Sequence, residues 1–183
     1  MVHPGGVVSE VDRDGLLREL DQAPAAYRAL LDDATPESLR RRTAGTRWTN
    51  REMLFHLLLG YGLIRVLLPL VAVIDRAPPR AGRAFAAVLN AGATPFHAVN
   101  YLGSVVGGRL LSTRRMARLF DRSCAALARR LRRQDAADLA RSMPFPTRWD
   151  PFFTTSMSVW HVYHYAWQHF TFHRAQLTLD RDG

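Results

Sequence analysis

The chain has 183 residues, 48% of them hydrophobic, which is enough for one globular domain with its own core over residues 1–183. All 25 of its basic residues are arginine, and the absence of lysine excludes lysine-dependent chemistry such as a Schiff base or a phosphate-loop lysine. The net charge of +9 makes nucleic acids and acidic membrane surfaces candidate partners.

The first part of the chain predicts one helix and one turn. Residues 1–11 contain no sustained apolar stretch, so we expect a flexible start and a cytoplasmic protein. From Asp12 to Asp33 apolar residues recur at helical spacing, and Pro24 interrupts them, which predicts a kinked helix. Thr35 to Glu37 predicts a short helical turn before a loop.

A second, more apolar helix is predicted from Thr49. The residues Thr49 to Glu52 match a capping box, in which the first side chain and the fourth satisfy each other's backbone amides. The following run to Ile74 is apolar enough to raise a transmembrane span, but Arg65 and Pro69 would be costly in lipid. We therefore expect a buried bundle helix and no membrane association.

Two short helices are predicted between the second and third long helices. Asp75 to Arg80 predicts a connector, because it contains two consecutive prolines. The stretch from Phe85 to Gly108 is apolar and is broken at Thr94-Pro95, where threonine can cap a helix and proline can occupy its first turn.

The third long helix is predicted from Ser112 to Arg133, with an apolar inner face and many arginines on its other sides. Because no aromatic residues are interleaved with these arginines, we favour a solvated helix face over a nucleic-acid surface and expect no nucleic-acid partner. Cys124 lies among apolar residues of this helix and is predicted to be a small core residue.

The last part of the chain predicts an aromatic loop and a fourth long helix. Arg141 to Thr155 contains three prolines and four aromatic residues, and Ser156 to Leu179 has helical character. No alternating strand pattern is visible anywhere. The predicted fold class is all-α, a bundle of four long helices with extra short helices between the second and third.

Two histidines near the end of the chain have the spacing of metal ligands. His169 and His173 are one helical turn apart, so both imidazoles can converge on one point. Two histidines hold a divalent ion loosely, and a third ligand is needed. His56, one turn after Glu52 in the second helix, is the natural partner in a bundle, and three imidazoles would leave coordination positions open.

Two short motifs of this chain resemble the DinB/YfiT-like superfamily. One is Arg47 to Leu57, which carries a tryptophan, a capping threonine and a histidine, and the other is His169-x-x-x-His173-x-x-Gln176. The resemblance implies a four-helix bundle that binds zinc, nickel or a similar divalent metal through His56, His169 and His173. It also implies frequent homodimers, and transferases or isomerases that use mycothiol or another low-molecular-weight thiol.

Several further residues are candidates for the site. Gln176 could orient His173 or a bound water, and Tyr165 could lend a hydroxyl group to the pocket. Substrate contacts are expected from three residues between the second and third long helices and from two aromatic residues of the late loop: His97, Asn100, Tyr101, Trp149 and Phe153.

The sequence supports three functions to different degrees. The first is a metal-dependent enzyme that transfers a low-molecular-weight thiol of the mycothiol type to an electrophilic small molecule. The second is a metal-dependent hydrolase, cyclase or isomerase that acts on an apolar, natural-product-like substrate, because Pro69 to Gly108 and Trp149 to Phe153 could enlarge an apolar pocket. The third is a bundle that binds a metal or a ligand without catalysis.

Overall fold

A computed structural model describes residues 12–179 of the chain. The predicted flexible segment, residues 1–11, lies outside this range. The secondary-structure elements in chain order are α1 (Arg13–Asp32), a 3-10 turn (Ser38–Arg40), α2 (Asn50–Ile74), α3 (Pro79–Ala91), α4 (Ala93–Leu110), α5 (Thr113–Leu131), α6 (Ala136–Ala140), β1 (Ser142–Pro144), β2 (Ser156–Ser158) and α7 (Val159–Arg174). The predicted all-α class is confirmed.

The four long helices α1, α2, α5 and α7 pack against one another around an aromatic core. The ring of Tyr27 on α1 stacks on Phe120 of α5, with 4.1 Å between the ring centroids, and Phe170 of α7 lies 5.9 Å from Phe120. The Tyr27 hydroxyl group donates a hydrogen bond of 2.8 Å to the carbonyl of Leu54 on α2. These contacts join all four helices, as predicted for a bundle.

Helix α2 is the central helix of the molecule, and α4, α5 and α7 all contact it. The predicted capping box is present, with the Thr49 hydroxyl group accepting from the Glu52 amide and the Glu52 carboxylate accepting from the Thr49 amide. Within residues 12–179, α2 alone is long and apolar enough to cross a membrane by length and composition. Because neighbouring helices cover its buried face, its apolar composition is that of a core helix.

Helix α4 packs closely on α2 through two glycines near its end. A side chain at Gly107 would collide with the ring of Phe55, and a Cβ atom at Gly108 would lie 3.0 Å from the Cα atom of Glu52.

The two helices predicted between the second and third long helices, α3 and α4, have other bounds than predicted. They are separated at Gly92, with Pro79 opening α3 and Pro95 inside the first turn of α4. Helix α4 is 18 residues long and therefore not short.

The sequence shows no strand pattern, but the structure contains one short sheet. Strands β1 and β2 form a two-stranded antiparallel sheet in which Met143 pairs with Met157. Both methionines are buried, so the pairing is fixed by packing against the core. Three residues per strand are too few to show an alternating pattern in the sequence.

Helix α5 has the predicted division into an apolar and a charged side. Met116, Phe120 and Leu127 are buried, whereas most of the arginines of this helix are exposed. Cys124 is buried, and its burial raises the pKa of the thiol, as expected for a core residue.

Candidate metal centre

The side chains of His56, His169 and His173 meet in one cluster. One potential ligand atom from each imidazole can be chosen so that all three atoms lie within 4.8 Å of one another. The Nε2 atoms of His56 and His169 are 3.1 Å apart, and the ring centroids of the three pairs are 4.5 to 4.9 Å apart. The structure therefore brings His56 together with two histidines that lie more than one hundred residues later in the chain.

Two capped helix starts and one glycine position these rings. The capping box at Thr49 fixes the start of α2 one turn before Glu52 and two turns before His56. Ser158 caps α7 in the same way, ahead of both later histidines. A Cβ atom at Gly60 of α2 would lie 3.0 Å from Cε1 of His169, so the absence of a side chain there gives this imidazole its place.

Burial keeps the three imidazoles neutral. Burial lowers the pKa of His56 to about 3, with a smaller contribution from neighbouring His173. Burial likewise places the pKa of His169 well below its usual value and lowers that of His173. Neutral imidazole is the form that binds a metal ion, so the ligand atoms keep their lone pairs at neutral pH.

Hydrogen bonds around the cluster set the orientation of two rings. The Nδ1 atom of His173 donates to the side-chain oxygen of Gln176 at 2.7 Å, which leaves its Nε2 atom free to bind a metal. The Nδ1 atom of His56 lies 3.4 Å from the Ser104 hydroxyl group, which itself donates to the Asn100 carbonyl. Ser104 and Asn100 belong to α4, so this helix supports the cluster from outside.

The cluster fits a divalent metal of the zinc type. Imidazole nitrogens bind zinc at about 2.0–2.1 Å, so two ligands in tetrahedral arrangement are about 3.3 Å apart, close to the observed separation of His56 and His169. The cluster offers three imidazole nitrogens and no charged group. Catalytic zinc sites have such a set of three protein ligands, and water or substrate takes the remaining position.

The three histidines line a cavity of about 190 Å³. The remaining walls are mainly apolar and come from the loop before α2, from α2 and α4, and from the loop before α7. The large apolar side chains among them are Trp48, Leu59, Leu63, Phe96, Trp149 and Phe153. Trp149 stacks on Phe96 with 3.8 Å between the ring centroids, and Trp48 stacks on His56 at 4.5 Å. These side chains shield the histidines from water.

Comparison with known proteins agrees with this arrangement. The family model described as the DinB superfamily matches residues 19–177, which is most of the chain. The chain belongs to the DinB superfamily. No curated protein and no solved structure matches it. The histidine cluster of this DinB-superfamily bundle joins α2, which carries His56, to α7, which carries His169 and His173.

Asp150, a carboxylate of the cavity wall, was not predicted as a site residue from the sequence. Asp150 accepts a hydrogen bond from the Tyr165 hydroxyl group at 2.8 Å on one oxygen and from the Phe152 amide at 2.9 Å on the other. Burial raises its pKa, although these hydrogen bonds and the neighbouring His173 oppose the rise. Asp150 lies in an irregular loop 19 residues before His169, so no helical spacing connects it to the histidines.

The structure distributes the other predicted site residues unevenly. Asn100, Trp149, Phe153 and Tyr165 line the cavity, and Gln176 contacts it through His173. Two residues lie outside its walls. His97 is exposed and its Nε2 atom lies 3.0 Å from the Arg148 carbonyl, while Tyr101 stacks on Trp48 and holds it from behind. The substrate contacts expected of these two residues stay a prediction.

Proposed function

We propose that this DinB-superfamily protein is a cytoplasmic, divalent-metal-dependent enzyme that transfers a low-molecular-weight thiol of the mycothiol type to an electrophilic small molecule. The observation that carries the proposal is the cluster of three neutral imidazoles, His56, His169 and His173, on the wall of an apolar cavity that also holds one carboxylate. A zinc or nickel ion held there would lower the pKa of a bound thiol or water.

Asp150 is the group of this chain that could accept the thiol proton. Its carboxylate lines the same cavity as the histidines, and each oxygen keeps one lone pair beyond the hydrogen bond it already accepts. Tyr165 and the Phe152 amide hold it in one orientation. Because burial raises its pKa, Asp150 is a better proton acceptor than an exposed aspartate.

The size and lining of the cavity indicate which parts of the two reactants would lie inside it. About 190 Å³ is less than the roughly 300–1,000 Å³ of pockets that enclose a drug-sized ligand. The cavity would therefore hold the sulfur atom and the electrophilic centre, and the polar remainder of the thiol would lie outside. The aromatic walls, Trp149 and Phe153 among them, favour an apolar electrophile.

A second candidate function uses water in place of the thiol. Asp150 could equally take a proton from water or from a carbon acid, so a hydrolase, cyclase or isomerase acting on an apolar, natural-product-like substrate fits the same wall. A bundle that binds a metal without catalysis is the third possibility. It assigns no role to Asp150, the half-buried carboxylate that lines the cavity.

A thiol-dependence assay separates these functions. Zinc-loaded protein would be incubated with an apolar electrophile, with and without mycothiol, and the thioether product measured. We expect product only with both thiol and metal, and none from the His173→Ala variant. Conversion of the electrophile without thiol would favour the second function. Unfolding on removal of the metal would favour a structural metal site.

We also propose a homodimer that forms through α4. The residues Val99, Leu102, Val106 and Leu110 are more than half exposed and recur on one side of this helix. Residues 93–108 contain no charged side chain, so a second copy could pair here without repulsion between like charges. Sedimentation analysis should show a dimer that Leu102→Arg dissociates, and a monomeric wild-type protein would contradict this.

A further inference from the structure

A second cavity, of about 480 Å³, lies at the other end of the bundle from the histidines. Its wall on α2 includes Ala72, which follows His56 by 16 residues and is therefore about 24 Å away along the helix axis. Its wall on α7 is Val159, at the opposite end of that helix from His169 and His173. The two cavities are therefore separate sites.

Arginine dominates the wall of this second cavity, which we call the arginine cavity. Five guanidinium groups line it, from α5 and from the segments that directly follow α2, α5 and α6: Arg76, Arg129, Arg130, Arg133 and Arg141. Asp138 is the single acidic side chain of the wall. The positive charge of the cavity therefore exceeds what its own carboxylate can neutralise.

The existing partners of these arginines leave most of the charge unpaired. Arg141 forms an ion pair of 3.3 Å with Asp138, and Arg76 donates to the carbonyl of Ala72. Within residues 12–179, the side chains of Arg129 and Arg133 make no ion pair and no hydrogen bond. These two side chains are exposed at the cavity and are free to turn toward a ligand.

Arg130 adds a buried donor without an acceptor. Its Nε atom is inaccessible to solvent and has no hydrogen-bond partner in the described part of the chain. An unsatisfied buried donor costs free energy, and clustered like charges repel one another. A bound anion at the accessible guanidinium groups relieves the repulsion, and the planar guanidinium group matches the oxygens of phosphate in a two-point contact.

We propose that the arginine cavity binds a small anion with two linked phosphate groups, either free diphosphate or the diphosphate part of a nucleotide. Several converging guanidinium groups suit an anion of multiple charge, and the volume is that of a small-ligand site. No aromatic residue lines the cavity, so the wall offers no platform on which a base could stack. Recognition would therefore be of the diphosphate group, and an extended nucleic acid is disfavoured.

The test compares two pairs of charge-removing substitutions, one at and just after the last turn of α5 and the other within α5. Arg129→Gln with Arg133→Gln removes two charges from the cavity, and Arg118→Gln with Arg122→Gln removes two exposed charges of α5 outside it. Calorimetric titration with inorganic diphosphate should show one saturable site per chain in the wild type. The first pair should weaken binding by at least about tenfold, and the control pair far less.

Four results would overturn the proposal. One is the absence of saturable diphosphate binding by the wild type, and another is equal weakening by both pairs, which would mean general charge attraction. A third is binding of ADP without any binding of inorganic diphosphate. The fourth is a DNA duplex that binds more tightly than diphosphate and loses affinity equally with both pairs. ADP and inorganic diphosphate binding with similar affinity would support recognition of the diphosphate group.

Discussion

The two cavities of this bundle share α2 and α7 but handle charge in opposite ways. At one end, burial lowers the pKa values of three histidines, so neutral side chains can bind a cation. At the other end, arginines keep their charge in any surroundings and stay at the surface, where they can meet an anion. The depth of a side chain in the bundle and its chemical type together decide which ligand it suits.

This difference predicts different responses to the solvent. Protons compete with a metal for imidazole, so metal binding should weaken as the pH falls and should depend little on salt. Anion binding by exposed arginines should weaken as salt screens the charges. Because guanidinium keeps its charge, the pH dependence of binding should follow the protonation of the diphosphate alone. Measuring both ligands under both conditions would test the contrast directly.

The largest expected effect on the histidine side is a loss of turnover in Asp150→Asn. The amide cannot take a proton from the thiol, so the rate should fall by about 10²–10⁴-fold while the metal content stays unchanged. The thioether assay and elemental analysis measure the two quantities. Asp14→Asn, at an exposed position of α1, is the control and should keep full activity. Full activity of Asp150→Asn would exclude the proton-accepting role.

Two glycines of α2 provide a matched pair for the geometry of the cluster. A Cβ atom at Gly60 would crowd the imidazole of His169, whereas one at Gly62 meets nothing within 4 Å. Gly60→Ala should therefore lower zinc affinity by about 10–100-fold, as disturbed ligand orientation does elsewhere. Gly62→Ala should keep zinc affinity and stabilise the helix by about 0.5–1 kcal/mol. Competition with a chromophoric chelator measures the affinities, and equal behaviour of the variants would contradict the structure.

The hydrogen bond to His173 should contribute less. Gln176→Ala removes the acceptor that orients this imidazole, and we expect zinc affinity to fall by about tenfold. Gln168→Ala, on α7 itself, is the control, because the Gln168 side chain makes no hydrogen bond within the described residues. If both variants lose affinity alike, the orienting role of Gln176 is wrong.

A further effect is expected on the stability of the metal-free protein. The folded-state pKa of His56 is about 3, below the unfolded value near 6.5, so the unfolded chain takes up the proton first as the pH falls. His56 therefore lowers stability between those values, by at most about 1.4 kcal/mol per pH unit. Denaturant unfolding should show a flatter pH dependence for His56→Gln and an unchanged one for Arg133→Gln. An unchanged slope in His56→Gln would refute the burial effect.

Local pattern was enough to predict the histidines and most helices. The capping box at Thr49 and the one-turn spacing of His169 and His173 are properties of single helices, so they are visible in the sequence. The break at Gly92 was misplaced to Thr94-Pro95, because a proline fits equally well inside the first turn of a helix.

Features that depend on contact between distant segments were not visible. Asp150 reaches the cavity because the loop before α7 folds over it. Tyr165 was predicted to lend a hydroxyl group to the pocket, but its partner Asp150 was not identified. The arginine cavity combines residues of α2 and α5, so the charge run of α5 alone indicated only a solvated face. Strands β1 and β2 likewise arise from pairing between segments that are short and irregular in sequence.

Cobalt substitution tests the central claim most directly, because the visible spectrum of cobalt reports its ligands. Metal-free protein titrated with Co²⁺ should bind one ion per chain, and addition of mycothiol should produce the near-ultraviolet band of a thiolate-to-cobalt bond. His169→Ala should show neither signal. A wild-type protein that binds no cobalt, or binds it just as well after His169→Ala, would contradict a metal centre built from His56, His169 and His173.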